Sequence, residues 1–337
     1  MASNGNDCAF LGSLNQDFYI THDGGIFLGV LGGEAVYSAA GAIVWSARSC
    51  LFSRVGSDFP GGWLDEISRA GIDVQGVRIV DEPLETRRFF VYSTPEIRSE
   101  VRPAPQFLRM NVPLPKELIN FDPLARRRAE GEAYDPLSVR PDDVPASAGK
   151  IRGAHICPAD YQCHSLLPAR MRELGVSVVT IDPSKTYMEP GFLRAMPGLL
   201  NGVTAFLPNE EEARAFFRPT TMDLWDMAEA LCGMGCHFTV IKCGSGGAYA
   251  MDQGSGKRWI VPAYPAKVRD VTGAGAAFCG GFLAGLADTE DLVDACLRGT
   301  VSASLTIEGH GALYAVGAHP GLASARLDAL RPLVTRI

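Results

Sequence analysis

The sequence lacks an excess of positive charge. Its 31 lysines and arginines are outnumbered by 38 aspartates and glutamates, which gives a formal net charge of -7. A chain with this balance has no overall field that attracts a polyanion. Nucleic acid is therefore a poor candidate for its partner.

Long hydrophobic runs are absent as well. One of the longest apolar stretches, Ala276 to Ala287, is too short and too rich in glycine to cross a bilayer. Residues Met1 to Asp7 lack the basic start of a signal peptide. The sequence therefore predicts a soluble, cytoplasmic protein without a membrane partner.

A disulfide framework is also missing. The nine cysteines are odd in number and scattered, so reduced and mostly buried thiols are expected. The densest group of metal-ligating residues consists of His155, Cys157, Cys163 and His164. Their spacing matches no common zinc motif, and Pro158 interrupts it. We predict that they are ordinary strand-end and helix residues, with zinc as the less favoured alternative.

What the sequence does contain is enough apolar material for a large core. Of its 337 residues, 47% are hydrophobic, which suffices for one large domain or two ordinary ones. Short runs rich in β-branched or aromatic residues alternate with segments of helical periodicity. The predicted strands are 9–11, 89–92, 176–181, 204–207 and 238–241, and the predicted helices are 61–70, 166–174, 210–217 and 224–234. Such alternation is typical of a parallel sheet covered by helices.

Two regions depart from this alternation. Residues 17–33 contain several glycines and few helix formers, and with residues 84–101 they are predicted to form a small sheet that serves as a lid. Residues 101–150 are rich in proline, contain the run Arg126-Arg127-Arg128 and have poor periodicity. We predict that they form an insertion on the surface, which acts as a cover or a subunit interface rather than contacting substrate.

The most informative segment is Asp270-Val271-Thr272-Gly273-Ala274-Gly275-Ala276, which is followed by small and apolar residues. The small residues at positions 273–275 let the backbone turn sharply into a helix, whose first N–H groups then point at any ligand above the helix start. This pattern predicts an anion hole. A tight strand-to-helix connection without a ligand is the alternative.

This segment resembles the C-terminal signature of the ribokinase family of ATP-dependent sugar and nucleoside kinases, also called the PfkB carbohydrate kinases. Other segments resemble further motifs of that family and occur in the family's order. They are residues 12–17, 32–33, 54–58 with 71–74, 208–212 and 241–248. On these six matches, spread over residues 9–315, the chain is identified as a member of the family.

The resemblance implies a single α/β domain over residues 1–337, with a doubly wound, mainly parallel sheet flanked by helices and a small β-sheet lid. Substrate would lie under the lid, and ATP would lie at the carboxyl edge of the sheet, as is general for open α/β sheets. The implied reaction is attack of a primary hydroxyl of a nucleoside or sugar on the γ-phosphate of ATP, with Mg²⁺ as cofactor. Lid strands in the family often pair across a homodimer, so a homodimer is expected.

The resemblance also assigns roles to matching residues. It implies that substrate is bound by Asn15, Asp17, Gly32 and Gly33, and that Gly273, Ala274 and Gly275 form an anion hole. It implies nucleotide binding by Asn209, Gly244 and Gly247. It also implies indirect Mg²⁺ binding by Glu212 and a monovalent cation such as K⁺ at Asp270 and Thr272. Two positions of the substrate and nucleotide sites depart from the family pattern. Tyr37 stands where many sugar kinases have an asparagine, and its ring either stacks on a base or fills the core. Lys242 stands where the family usually has a threonine, and it either contacts phosphate or reaches solvent.

The largest departure concerns the general base. In the family an aspartate follows the glycine-rich turn and accepts the hydroxyl proton, whereas this chain has Ala276. Loss of a positioned base typically lowers the rate by about a hundred- to ten-thousand-fold. The nearest downstream carboxylate, Asp288, lies 12 residues along the helix. At about 1.5 Å per residue it is roughly 18 Å away and cannot replace the missing base.

Two explanations of Ala276 compete. The chain is either an inactivated variant of a working kinase, with aspartate replaced by alanine, or a natural pseudokinase that binds a nucleoside or sugar as a sensor or regulator. Relaxed selection would have allowed the other motifs to decay, and they are intact. Their mutual consistency favours the inactivated variant.

Overall fold

The computed structural model describes residues 7–95, 97–123, 135–146 and 151–337, so the run Arg126-Arg127-Arg128 lies outside the described residues. The strands of the described residues are β1 (Cys8–Leu11), β2 (Asn15–Ile20), β3 (Ile26–Gly32), β4 (Ser49–Val55), β5 (Ile72–Ile79), β6 (Arg87–Tyr92), β7 (Arg98–Glu100), β8 (Gly153–Ile156), β9 (Val178–Ile181), β10 (Ala205–Phe206), β11 (Phe238–Lys242), β12 (Ala248–Asp252), β13 (Arg258–Val261) and β14 (Thr335–Arg336). The helices are α1 (Glu34–Ile43), α2 (Gly61–Arg69), α3 (Pro103–Arg109), α4 (Tyr161–Glu173), α5 (Met196–Leu200), α6 (Glu210–Phe216), α7 (Leu224–Gly233), α8 (Ala274–Thr289), α9 (Leu292–Thr306) and α10 (Pro320–Leu330).

The main sheet of the described structure has ten strands in the order β14-β13-β12-β11-β10-β9-β8-β1-β4-β5. Its strands are parallel from β5 across to β11 and antiparallel from β11 to β14. One apolar core joins the sheet to α4, α5, α6 and α7, and others join it to α1, α8, α9 and α10. The predicted fold class, a mainly parallel sheet flanked by helices, is confirmed. No helix of the described residues is long and apolar enough to span a bilayer.

Helix α8 lies unusually close to its neighbours because glycines line it. A Cβ atom at Gly280 would lie 1.7 Å from the carbonyl oxygen of Ser38 in α1, and one at Gly281 would lie 2.3 Å from Ser302 Oγ in α9. A larger residue at either position would push the helices apart, because protein interiors leave no spare volume. The small residues after the turn therefore allow the close packing of α8 on α1 and α9.

A second sheet has four strands among the described residues, in the order β3-β2-β6-β7. Strand β2 is antiparallel to β3 and parallel to β6, and β6 is antiparallel to β7. One face of this sheet buries Phe18 and Phe89 against Phe107 of α3, and the other carries Tyr19 and Phe90. The small sheet agrees with the predicted fold class, whereas its action as a lid stays a prediction.

Helix α4 begins earlier than its periodicity predicts. The apolar spacing predicts a start at Leu166, but the helix begins at Tyr161. The Asp160 carboxylate caps it by accepting a hydrogen bond from the Cys163 N–H at 2.8 Å. An N-cap aspartate was therefore a better guide to this boundary than the apolar residues.

Buried charge anchors part of the proline-rich segment to the main sheet. Asp143 Oδ1 lies 2.8 Å from a guanidinium nitrogen of Arg54 in β4 and 2.8 Å from one of Arg78 in β5. A charge with two partners tolerates burial far better than an isolated one. The segment also contains α3, although its sequence has poor periodicity.

The group of cysteines and histidines in residues 155–164 lies in the core. His155, Cys157, Cys163 and His164 are all at most 1% exposed. His155 Nδ1 lies 2.8 Å from Thr180 Oγ1, and His164 Nε2 lies 2.8 Å from the Cys157 carbonyl oxygen. The two hydrogen-bond partners thus come from β9 and from the residue directly after β8.

His164 is expected to make the stability of the fold depend on pH. Burial lowers the pKa of its ring from 6.5 to about 4. Between those values the unfolded chain binds a proton that the folded chain does not bind. The free energy of unfolding is therefore expected to decrease as the pH falls through this window, with His164 contributing about 3 kcal/mol.

Urea unfolding of the wild type and of His164→Gln, from neutral pH to about pH 4, measures this contribution. The variant should be less stable near neutral pH, where it loses buried hydrogen bonds, but should lose less stability on acidification. His22→Gln, at an exposed position, is the matched control and should keep the wild-type slope. Equal slopes for wild type and His164→Gln would contradict the assignment.

Candidate active site

The carboxyl ends of the parallel strands meet at one edge of the main sheet. Asp182 directly follows β9 there, and β11 ends at Lys242. Helix α8 begins beside the same edge, since Lys242 Nζ lies 3.8 Å from the position that a Cβ atom of Gly275 would take. Ligands of open α/β sheets bind outside the carboxyl ends of the strands. This edge is therefore the candidate active site.

The turn before α8 presents backbone donors. Gly273 has a left-handed φ of 78° and caps the helix, and Ala274, Gly275 and Ala276 form its first turn. The N–H groups of Gly275 and Ala276 have no backbone acceptor among the described residues. Such donors, together with the positive end of the helix dipole, stabilise a negatively charged group. Of the predicted donors Gly273, Ala274 and Gly275, the Ala274 N–H already donates to the Val271 carbonyl oxygen at 3.2 Å, so the free donors of the first turn are at Gly275 and Ala276 instead. Their role as an anion hole stays a prediction.

Tyr37 of α1 packs directly on this turn. A Cβ atom at Gly273 would lie 2.0 Å from Tyr37 Cδ1. The phenol is 4% exposed, and burial raises the pKa of its hydroxyl, which therefore stays protonated. The main chain of the turn therefore covers one face of the ring.

A buried ion pair lies beside the turn. Lys242 Nζ donates to Asp182 Oδ2 at 2.7 Å and lies 3.5 Å from the sulfur of Cys279, one helical turn after Ala276. Burial disfavours the charged form of Lys242, but the Asp182 carboxylate outweighs that effect and raises the pKa of the ammonium. Lys242 is therefore a positive charge held inside the protein, next to the free N–H groups of the turn.

Asn209 and Glu212 form a reciprocal cap at the start of α6. Asn209 Oδ1 accepts a hydrogen bond from the Glu212 N–H at 2.8 Å, and Glu212 Oε2 accepts one from the Asn209 N–H at 2.9 Å.

Burial and the Asp182 carboxylate raise the pKa of Glu212 to about 8. The negative charge of Asp182 thus acts on Glu212 despite the nearby ammonium groups of Lys242 and Lys185, and a further cation would relieve the repulsion. Mg²⁺ prefers such oxygen ligands, so Glu212 fits its predicted indirect role.

The predicted nucleotide loop is a 3₁₀ turn over Gly244–Gly246, directly after β11. Gly244 and Gly247 have left-handed φ values of 54° and 83°. A Cβ atom at Gly247 would lie 2.2 Å from the Val261 carbonyl oxygen, whereas one at Gly244 would meet no atom within 4 Å. Packing therefore requires glycine at 247, and Gly244 leaves open space above the loop.

The predicted substrate-binding residues lie where the small sheet meets α1. Asn15 is fully buried, yet neither polar atom of its amide has a hydrogen-bond partner among the described residues. Buried amides are normally paired, so Asn15 is a candidate to bind a ligand hydroxyl. A Cβ atom at Gly32 would lie 1.9 Å from Asp17 Oδ2, and one at Gly33 would lie 2.3 Å from the Ser13 carbonyl oxygen. The paired glycines therefore let the Asp17 carboxylate and the β2 backbone approach closely.

A cavity of about 290 Å³ adjoins this end of the site. Its wall includes Ser13, Arg88 of the small sheet, Lys185 and Glu212, together with residues 121–123, 135 and 137–139 of the proline-rich segment. The turn at residues 273–276 is not part of the wall. The cavity is thus a candidate for the acceptor rather than for the phosphates.

The residues expected to hold a monovalent cation are hydrogen-bonded to the small sheet instead. Tyr19 donates its hydroxyl proton to Asp270 Oδ2 at 2.7 Å, and the Tyr92 hydroxyl lies 3.0 Å from Thr272 Oγ1. The Tyr19 donor occupies a lone pair of Asp270 that a cation would otherwise coordinate, and the Tyr92 hydroxyl is hydrogen-bonded to Thr272 Oγ1.

Three residues of the site were not predicted from the sequence, namely Asp182, Tyr19 and Tyr92. A carboxylate directly after a predicted parallel strand was a usable signal for Asp182. The tyrosines gave no such signal, because their partners lie 251 and 180 residues away.

One group of metal-ligating atoms occurs at this edge among the described residues. Ligand atoms of His155, Asp182 and Cys279 lie within 4.8 Å of one another. Lys242 Nζ lies within 3.5 Å of both Asp182 and Cys279, so its ammonium already supplies the positive charge of this cluster.

Comparison with known proteins agrees with this geometry. The family model for "pfkB family carbohydrate kinase" matches residues 169–316, which contain Asn209, Lys242 and the glycine-rich turn. Residues 169–316, somewhat less than half of the chain, are thus similar to the PfkB family. Over 294 residues it is 24% identical to a cytidine kinase of Thermococcus kodakarensis, covering 87% of this chain and 92% of the relative.

Solved structures of kinases share the fold of this chain. A ribokinase II of E. coli in complex with ATP and Mg²⁺ superposes with a TM-score of 0.70 at 16% identity, covering 96% of this chain and 99% of that chain. A double mutant of a fructokinase from Vibrio cholerae, with fructose, ADP and a potassium ion bound, gives a TM-score of 0.66 at 20% identity, covering 96% and 99%. At this identity the likeness establishes the fold alone.

Proposed function

We propose that the chain is an ATP-dependent kinase that transfers the γ-phosphoryl group to a primary hydroxyl of a nucleoside or sugar. The observation that carries the proposal is the pairing of free N–H groups at Gly275 and Ala276 with the buried ammonium of Lys242. The N–H groups and the ammonium are all hydrogen-bond donors that can bind a negatively charged group. They lie at the edge of the sheet where such folds bind ligands. The similarity of residues 169–316 to the PfkB carbohydrate kinases supports the same reaction class.

The residues of the turn would act on the transferring group. Phosphoryl transfer places negative charge on the equatorial oxygens of the γ-phosphate while the bond to the bridging oxygen of ADP breaks. The N–H groups of Gly275 and Ala276 and the Lys242 ammonium would stabilise that charge without reorganising. Mg²⁺ bound through water near Glu212 would neutralise the neighbouring phosphate oxygens.

The acceptor would lie against the small sheet. Asn15, Asp17 and the glycines at 32 and 33 would bind its hydroxyl groups, and the cavity bounded by Arg88 would hold the rest. Tyr37 brings an aromatic ring close to both ends of the site, and the cytidine kinase relative acts on a nucleoside. We favour a nucleoside among the two acceptor classes.

No residue of the turn can accept the acceptor's proton in this chain. Ala276 is 7% exposed and packs in an apolar cluster with Tyr37. We propose that the sequence is an inactivated form of a working kinase. The alternative is a natural pseudokinase that binds the same ligands as a sensor. Assembly as a homodimer and location in the cytoplasm remain predictions.

Thermal unfolding with MgATP, each nucleoside or sugar alone, and both together tests the binding sites. A ligand that binds only the folded state raises the melting temperature. We expect MgATP to do so in the wild type, and a subset of acceptors to add to the shift. Absence of a shift with MgATP at millimolar concentration would overturn the proposed function.

Lys242→Met separates phosphate binding from folding. It removes a charge-assisted contact and should weaken MgATP binding by about ten- to a hundredfold. Lys267→Met, at an exposed position, is the matched control and should bind normally. Because Lys242→Met also strands the buried Asp182, the double variant with Asp182→Asn should regain stability without regaining ATP affinity. Wild-type affinity in the double variant would exclude Lys242 from the phosphate site.

A further inference from the structure

The carboxylate of Asp270 has donors on both of its oxygens. Oδ1 accepts a hydrogen bond from the Thr272 N–H at 2.9 Å, and Oδ2 accepts one from the Tyr19 hydroxyl at 2.7 Å. His310 Nδ1 lies 3.3 Å from Oδ2 as well. Asp270 is 5% exposed, so little water reaches it. A buried carboxylate needs partners of this kind, and here the protein supplies them.

Tyr19 is held in place as a donor. Its ring is 1% exposed and stacks between Phe27 and Phe90, with ring centroids 4.7 and 5.2 Å away. Phe27 stacks in turn on His310 at 4.5 Å. Burial and the hydrogen bond to Asp270 both raise the pKa of the Tyr19 hydroxyl, which therefore keeps its proton. The hydroxyl cannot turn away without breaking this stack.

Thr272 has a similar partner. The Tyr92 hydroxyl lies 3.0 Å from Thr272 Oγ1, and both residues are at most 7% exposed. Tyr19 and Tyr92 come from β2 and β6, which are neighbours in the small sheet. The small sheet thus places one tyrosine hydroxyl against Asp270 and another against Thr272, the two residues expected to bind a monovalent cation.

We propose that hydrogen bonds from the Tyr19 hydroxyl and His310 stabilise the Asp270 carboxylate in place of a monovalent cation, so that nucleotide binding by this chain does not depend on K⁺. The inference rests on the proposed function only in naming the nucleotide as ligand. It concerns a departure of this chain from the cation site that the family resemblance implies. The hydrogen bonds also join the small sheet to the turn that begins α8.

The test compares K⁺, Na⁺ and tetramethylammonium salts at equal ionic strength. Isothermal titration of wild type with MgATP should give dissociation constants that agree within about twofold. Thermal unfolding without nucleotide should give the same melting temperature in the three salts. A selective increase of about tenfold in affinity with K⁺, or a K⁺-specific rise in melting temperature of the free protein, would overturn the proposal.

Tyr19→Phe keeps the ring and removes the donor. In tetramethylammonium it should bind MgATP about three- to tenfold more weakly than wild type, and K⁺ should recover part of that loss. Tyr249→Phe, whose ring stacks on Trp225 away from this carboxylate, is the control and should match wild type in every salt. Wild-type affinity for Tyr19→Phe in all three salts would show that its hydroxyl does not stabilise Asp270 for nucleotide binding.

The outcomes separate the two proposals. If MgATP fails to bind in every salt, the proposed function is wrong, and the melting temperatures of the free protein still decide the cation question. If MgATP binds and K⁺ strengthens binding selectively, the function stands and the replacement of the cation is wrong.

Discussion

Ala276→Asp is expected to raise the turnover number for phosphotransfer by about a hundred- to ten-thousand-fold, measured as ADP production with a panel of nucleosides and sugars. The substitution returns a proton acceptor to the first turn of α8, directly after the N–H groups that would stabilise the γ-phosphate. A hydroxyl that attacks phosphorus must lose its proton, and without a base that proton has only water to accept it.

The local structure favours this substitution. Residue 276 is the third residue of α8, and a carboxylate in the first turn of a helix is stabilised by the helix dipole. The neighbouring ammonium of Lys242 adds positive charge to the same region. Against this, Ala276 is 7% exposed and lies among apolar side chains. We therefore expect a small loss of stability alongside the gain in rate.

Ala276→Asn is the matched control, because it has nearly the same size and cannot act as a base. It should leave turnover at the wild-type level, while its melting temperature reports the cost of the added volume. A large gain for aspartate and none for asparagine would identify proton acceptance as the missing function. Equal rates for the two variants would remove the basis for an inactivated kinase.

The same pair of variants distinguishes the two explanations of Ala276. An inactivated kinase keeps every other part of its site, so one substitution should suffice. A natural sensor has no need to orient the acceptor hydroxyl toward phosphorus, so it should bind ligands without gaining turnover. Binding without recovered turnover would therefore favour the pseudokinase.

Much of the fold follows from local patterns in the sequence. Strands such as β11 and helices such as α6 were predicted within about one residue, because buried strands and capped amphipathic helices are specified by near neighbours in sequence. The start of α4 was missed because Asp160 sets it through a cap, which apolar spacing does not report.

The candidate site was predictable where it is built from backbone. Glycines at 32, 247 and 273 are needed because another chain segment lies within about 2 Å of where a Cβ would be, and glycine patterns are visible in sequence. Charged and hydroxyl partners were not predictable to the same degree. The Lys242–Asp182 and Tyr19–Asp270 pairs join residues 60 and 251 positions apart, and only the sheet order brings them together.

Gly273→Ala is expected to disrupt the turn that begins α8. The new Cβ would lie 2.0 Å from the ring of Tyr37, and the left-handed φ of 78° is itself unfavourable for alanine. Overpacking and backbone strain together should cost about 3 kcal/mol or more in the free energy of unfolding. Because the turn must move, the MgATP-induced rise in melting temperature should also disappear.

Gly256→Ala isolates the backbone cost. Gly256 has a comparable φ of 66°, but a Cβ atom there would meet nothing within 4 Å. Its substitution should therefore cost only about 1 kcal/mol and leave MgATP binding intact. The difference between the two variants measures the contact with Tyr37.

The contact is tested by introducing Gly273→Ala into a Tyr37→Ala variant and measuring the free energy of unfolding with urea. Removing the ring opens space beside residue 273, so adding Gly273→Ala to Tyr37→Ala should cost little more than Gly256→Ala does alone. Coupling between two residues in contact appears as this departure from additivity. If Gly273→Ala costs the same with and without the ring, then Tyr37 does not hold the turn, and the requirement for glycine at 273 lies in its backbone conformation alone.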